Sequence, residues 1–210
     1  MAAVGETGLQ MTVPQSSANP IVFLDTEFTD LVATPLLLSI GLVAGGSGLH
    51  EFYAEVVDRL RIGSASQFAS NIVLPQFGRV RGSACTYLEL GARLATYLDG
   101  LTSELRPGRV LTVAYESDLD WTLLERAVRE TDETRWSRLM ARLRPVNVYN
   151  IAGFAVGDRA AKAYFDKQRL APLARHHALC DARALRVAYA AAAASTASRA
   201  RAAETLQAGA

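Results

Sequence analysis

Two carboxylates spaced two residues apart, Asp25 and Glu27, close the apolar run Ile21-Val22-Phe23-Leu24. Side chains in an extended strand alternate between faces, so Asp25 and Glu27 project to one side and Thr26 to the other. Like charges held that close raise each other's proton affinity unless a bound cation neutralises them. Oxygen-only ligands suit a hard ion, Mg²⁺ or Mn²⁺, better than zinc, and such ions commonly assist phosphoryl chemistry. Two further acids stand far along the chain. Asp120 precedes the apolar face Trp121, Leu124, Ala127 and Val128, with Asp118 competing for the same role, and Asp181 follows the pair His176-His177. Each acid has a plainer use: at a strand end it forms turns, and at a helix start it complements the positive terminus. A zinc site from His176, His177 and Cys180 is disfavoured because that spacing fits no tetrahedral motif.

These residues need elements to bring them together. After the Asp25 strand, Leu36 to Val43 reads as a buried central strand, Gly45 to Gly48 as a turn, and Leu49 to Val56 as the return strand, giving three antiparallel strands. Residues 57–82 show no periodicity. Ser83 is then placed to cap a helix through Tyr87, Leu88, Gly91, Leu94, Ala95 and Leu98, whose stripe should pack on the sheet. Val110 to Ala114 is a fourth strand, and the helix opened by Asp118 or Asp120 follows it as a parallel α/β unit. Val146 to Tyr149 is a fifth strand, Asp158 starts another helix, and Ala178 to Ala194 is the last helical segment. The expected organisation is a leader over 1–19, one domain over 20–194, and an Ala-rich tail over 195–210, frayed or disordered.

The chain has 210 residues, of which 50% are hydrophobic, enough for one domain with a sizeable core. A formal charge of +1 excludes the overall basic field of a non-specific nucleic-acid coat protein, while a local basic face stays open. Lys162 and Lys167 are the only lysines. With Arg159, Arg169 and Arg175 they lead into the His176 segment and could meet phosphates, although a solvated helix face explains them as well; Arg135, Arg138, Arg142 and Arg144 form a second cluster. Cys85 and Cys180 give no disulfide framework, and no segment has the length or apolarity to span a membrane, so a reduced, cytoplasmic setting is expected.

Taken together, Asp25-Thr26-Glu27, Leu38-Ser39-Ile40-Gly41-Leu42-Val43, Asp120-Trp121-Thr122-Leu123-Leu124 and His176-His177-Ala178-Leu179-Cys180-Asp181 resemble the motifs of the DEDDh 3′-to-5′ exonucleases. These belong to the DnaQ-like superfamily with a ribonuclease-H-like fold. The resemblance runs from about Ile21 to Tyr189 and looks most like small bacterial exoribonucleases. It implies an α/β fold with a mixed five-stranded sheet flanked by helices. It also implies two Mg²⁺ or Mn²⁺ ions: Asp25, Glu27 and Asp181 on one, Asp25 bridging to a second, and Asp120 supporting the second through water. His176 would take the proton from the attacking water, a task suited to a near-neutral pKa. Related exonucleases carry a Tyr where His177 stands. Glu27 and Phe28 would lie against the 3′-terminal sugar, and Phe28 and Trp121 could stack on bases, though Trp121 reads more readily as core. The implied partner is the 3′ end of a single-stranded nucleic acid, RNA before DNA, and a homodimer is implied as well. A DNA exonuclease of the repair or proofreading type shares every motif, and a non-catalytic nuclease-like module would need a ligand to be missing.

Overall fold

The computed structural model describes residues 20–45, 50–59, 65–150, 153–169 and 171–208, without the side chains of residues 154 and 201–208. The expected leader, residues 46–48 of the expected glycine turn and Leu49 of the expected return strand lie outside the described residues. Six strands form one sheet in the order β4-β3-β2-β1-β5-β6. They are β1 (Ile21–Phe28), β2 (Leu37–Ala44), β3 (Glu51–Val56), β4 (Ala84–Cys85), β5 (Leu111–Tyr115) and β6 (Leu143–Asn147). The pairs β1–β2 and β2–β3 are antiparallel; β3–β4, β1–β5 and β5–β6 are parallel. Helices α1 (Tyr87–Ser103), α2 (Asp118–Thr131) and α3 (Glu133–Met140) precede β6, and α4 (Phe154–Gln168) and α5 (Ala178–Ala208) follow it.

The central strands are apolar on both faces because helices cover both. Val22, Leu24, Ile40 and Leu42 pack with Leu90, Leu94 and Leu98 of α1 and with Leu124 and Val128 of α2. On the opposite face Phe23 meets Leu185, and Val43 meets Leu179 and Ala182, all from α5. Helix α4 packs on α5, so α5 lies between it and the sheet. Among the described residues no helix is long and apolar enough to cross a membrane.

Several elements differ from expectation, each for a local reason. The sixth strand, β4, pairs only Ala84 and Cys85 with Glu55 and Val56, too short a run for periodicity to register. Ser83 is taken up by that pairing, its carbonyl accepting from the Glu55 N–H at 2.9 Å, so Thr86 caps α1 instead through a reciprocal box with Glu89. Residues 57–82 contain two short helical turns, Ala69–Val73 and Leu74–Gln76. Helix α3 was not expected; Asp132 caps it by accepting from the Arg135 N–H at 2.8 Å. Strand β6 begins at Leu143 rather than Val146, with Pro145 tolerated because β6 is an edge. Helix α4 begins before Asp158, and α5 runs on past Ser195.

Candidate active site

The alternation of β1 delivers acids from two helices to one strand end. Residues 22, 24 and 26 face α1 and α2, whereas 23, 25 and 27 face α5. On the α2 side, the N–H and hydroxyl of Thr26 donate to Asp120 Oδ1 at 3.2 and 2.6 Å, and the Ser117 N–H donates to Oδ2 at 3.1 Å. Asp120 is buried by this arrangement. Asp118 points elsewhere: it is exposed and accepts from Asn147 Nδ2 at 3.0 Å. On the α5 side, Asp181 sits in the first helical turn and accepts the backbone N–H of His176 through Oδ2 at 3.1 Å. Glu27, His176 and Asp181 each offer a ligand atom within 4.8 Å of the other two.

Burial and mutual repulsion dominate the electrostatics. Asp25 is held well above the usual carboxylate range, first by burial and then by Asp181, Asp120, Glu27 and Glu116. Burial, with Asp181 and Asp120, pushes Glu27 up to about 8. Asp181 reaches about 7, chiefly by burial, against the pull of the His176 N–H and of Arg175. Asp120 reaches only about 6, since the donors on Thr26 and Ser117 oppose its burial. Two buried oxygens, Asp25 Oδ2 and Asp181 Oδ1, have no hydrogen-bond partner among the described residues. Orphaned carboxylate oxygens facing like charges fit a hard divalent cation, because it supplies the positive charge the protein withholds.

The two histidines part company here. His176 is half-buried beside the acids, with its backbone at φ 65, and Phe68 meets its ring edge-on at 4.9 Å. A histidine in the left-handed region is uncommon, and such strain persists only where the surroundings fix it. Burial and Arg175 lower its proton affinity, leaving a neutral imidazole at neutral pH. His177 instead turns inward and stacks on Tyr53 at 4.3 Å, where burial pushes it down to about 4.

Phe28 is half-buried and packed against the core, and Trp121 lies in an aromatic cluster with Tyr115 at 6.2 Å and Trp136 at 5.6 Å. Arg175 is exposed, and its charge is felt by His176, Asp181 and Glu116. Arg159, Lys167 and Arg169 are exposed, while Lys162 pairs with Asp158 at 2.9 Å. Of the second cluster, Arg135 holds Asp99 at 2.7 Å and Arg142 the Thr102 carbonyl at 2.8 Å. Sequence reasoning passed over Glu116, which adds to the repulsion at Asp25, Asp120 and Asp181. It also passed over Gln76, whose amide binds the His176 loop. Glu116 had a signal, an acid directly after a buried strand; Gln76, in an aperiodic stretch, had none.

No protein-family model and no curated protein matches the chain. Among solved structures, the chain is similar to a 3′-exonuclease described for its 3′-end-specific recognition of a histone mRNA stem-loop. That likeness has a TM-score of 0.52 at 13% identity over 85% of this chain and 65% of that one. A full-length 3′-exonuclease is similar with a TM-score of 0.46 at 16% identity, over 82% of this chain and 81% of the other. The chain therefore spans just under two thirds of the first of these structures. At such identity the first likeness speaks to fold: this is a mixed α/β, ribonuclease-H-like sheet of six strands flanked by helices.

Proposed function

We propose that the chain is a metal-dependent 3′-to-5′ exoribonuclease that hydrolyses phosphodiester bonds from the 3′ end of single-stranded RNA. One observation carries the reading: Asp25, Glu27, Asp120, Asp181 and His176 come from three separate segments and converge at one strand end, with two buried carboxylate oxygens left unpartnered among the described residues. Asp25, Glu27 and Asp181 would hold Mg²⁺ or Mn²⁺ directly. Asp120, whose oxygens already accept from Thr26 and Ser117, would act on a second ion through water. When bound, the ions neutralise the carboxylates and stabilise charge on the attacking and leaving oxygens of an in-line displacement.

The chain's own groups do the rest. His176, kept neutral by burial and by Arg175, accepts the proton of the attacking water. Arg175, exposed and with its charge felt at His176 and Asp181, is placed to draw a backbone phosphate of the incoming strand toward the acids. Glu27 and Phe28 form the seat of the terminal sugar, and Trp121, packed between Tyr115 and Trp136, is taken up by core packing more than by stacking on a base. RNA is favoured because the similar exonuclease recognises an mRNA 3′ end; a DNA exonuclease is the second reading, since the metal site serves either sugar. A homodimer in the cytoplasm completes the proposal, in keeping with two free, buried cysteines.

Purified protein offered 5′-labelled RNA and DNA oligomers side by side, with Mn²⁺, Mg²⁺ or a chelator, tests it. A ladder shortening from the 3′ end, faster on RNA and abolished by chelator, is the expected result. Faster DNA degradation selects the second reading, and no cleavage of either overturns both.

A further inference from the structure

We propose that Gln76 is a positioning residue for His176: its buried side-chain amide fixes the backbone of residues 174–176 and so aims the imidazole at the carboxylates. The proposal rests on the reading of His176 as proton acceptor. Gln76 closes the short turn Leu74–Gln76, is 5% exposed, and makes its contacts across a wide gap in sequence. Its Nε2 donates to the carbonyls of Arg175 and His176, both at 2.9 Å, with the Ile72 carbonyl further off at 3.3 Å. Its Oε1 accepts from the Ala174 N–H at 3.2 Å. Two amide hydrogens meet two carbonyls and the amide oxygen meets a backbone N–H, so the side chain is fully engaged by one loop.

That loop needs an anchor. His176 sits at φ 65, a conformation unfavourable for a side chain with a Cβ and kept only where neighbours over-determine it. From the helix side the loop is held by Asp181, which accepts the His176 N–H. From the other side the donors are on Gln76, backed by Arg79 Nη1 on the Pro172 carbonyl at 2.8 Å. The same stretch is tied to the end of β1, where the Ser66 N–H donates to the Thr29 carbonyl at 2.8 Å. Phe68, placed on this stretch, meets the His176 ring edge-on. An apolar side chain at position 76 would take these donors from the Arg175 and His176 carbonyls and release the only side-chain amide that ties residues 174 to 176 together among the described contacts.

The test is a double-mutant cycle on the full chain, using a 5′-labelled single-stranded RNA oligomer and Mn²⁺, with single-turnover rate and KM read separately. Gln76→Met is expected to lower the rate about 10²-fold with KM almost unchanged, the signature of a misplaced catalytic group rather than lost binding. Introduced into His176→Ala, the same change is expected to cost less than about two-fold, because the group it positions is gone. Equal losses in both backgrounds, or a wild-type rate in Gln76→Met, overturn the positioning role while leaving the base assignment intact. A wild-type rate in His176→Ala overturns the base assignment and the proposal with it. Should Gln76→Met not fold, Gln76→Glu, which keeps the length and the acceptor for Ala174 but loses both donors, runs through the same cycle.

Discussion

The imidazole of His177 is 2% exposed, stacked on Tyr53, with neither ring nitrogen partnered among the described residues, whereas that of His176 stands half-buried beside Glu27 and Asp181. Truncation should therefore separate chemistry from packing. His176→Ala is expected to cut turnover by about 10²- to 10⁴-fold with the melting temperature unmoved. His177→Ala is expected to keep most of the rate and to lose about 1–3 kcal/mol of stability, the cost of a cavity partly offset by removing two unsatisfied nitrogens. Turnover assays and thermal unfolding on both variants decide it, and the reverse ranking would hand the proton to His177. The acids answer to a similar logic. Asp25 faces two aspartates and two glutamates, and its buried Oδ2 has no partner among the described residues, so its ionised form is costly in the absence of a cation. Asp25→Asn is expected to abolish turnover and yet raise the melting temperature of the chelated protein at pH 8 by about 2–4 °C, equivalent to about 1 kcal/mol. A lower melting temperature would mean that the carboxylate holds the fold together.

Element placement decides whether those acids meet, and Gly41 is where it is decided. Gly41 faces Asp25 across the β1–β2 register, and a Cβ built on it would overlap the Ala178 carbonyl and the Leu179 N at the head of α5. The missing side chain lets the helix backbone lie directly on β2, which carries Asp181 to the side of Asp25. Gly41→Ala should lift the start of α5, costing about 1–3 kcal/mol from overpacking and most of the activity through a displaced Asp181. Unfolding and turnover of that variant check this; an active, equally stable protein would mean α5 does not depend on the close approach. Much of this was legible in the residues. The strand ending in Asp-Thr-Glu, the central glycine-bearing strand and the spacing from His176 to Asp181 all have local signatures, because apolar runs and alternation mark buried strands. What stayed hidden was long-range or short-lived in sequence. The two-residue β4 has no period, Thr86 rather than Ser83 caps α1 because Ser83 is needed by β3, and the choice between Asp118 and Asp120 turns on Thr26, ninety-four residues away. Gln76 is legible only through the loop it binds.

At the scale of the whole molecule, the acidic cluster should make folding depend on pH and on divalent cations together. Glu27, raised to about 8, and Asp181, raised to about 7, bind protons more tightly in the folded than in the unfolded chain, and Asp25 is shifted the same way. Where the folded state holds more protons than the unfolded one, raising the pH lowers stability. Without metal, these groups should therefore draw stability down as pH climbs from the ordinary carboxylate range to about 8. The histidines act in the opposite sense. His176 and His177 are lowered from 6.5, so the unfolded chain binds the extra protons and stability rises with pH until their unfolded titration is complete. The two effects oppose each other at acidic pH and separate only above it, and burial raises the Cys85 and Cys180 thiols so that they too draw stability down near pH 9, which places the clean window between about pH 7 and 8. In a chelator, the melting temperature is expected to fall across that window. On the proposed reading Mn²⁺ would bind the folded state alone, so saturating ion should raise the melting temperature and flatten its pH dependence, by an increment that grows with ion concentration. Asp25→Asn should remove most of the rescue, together with Asp25's own share of the fall, while the part set by burial of Glu27 and Asp181 persists. A chelated protein whose melting temperature holds steady from pH 7 to 8, or a wild type that Mn²⁺ leaves unmoved, would mean that the converging carboxylates are not a cation site.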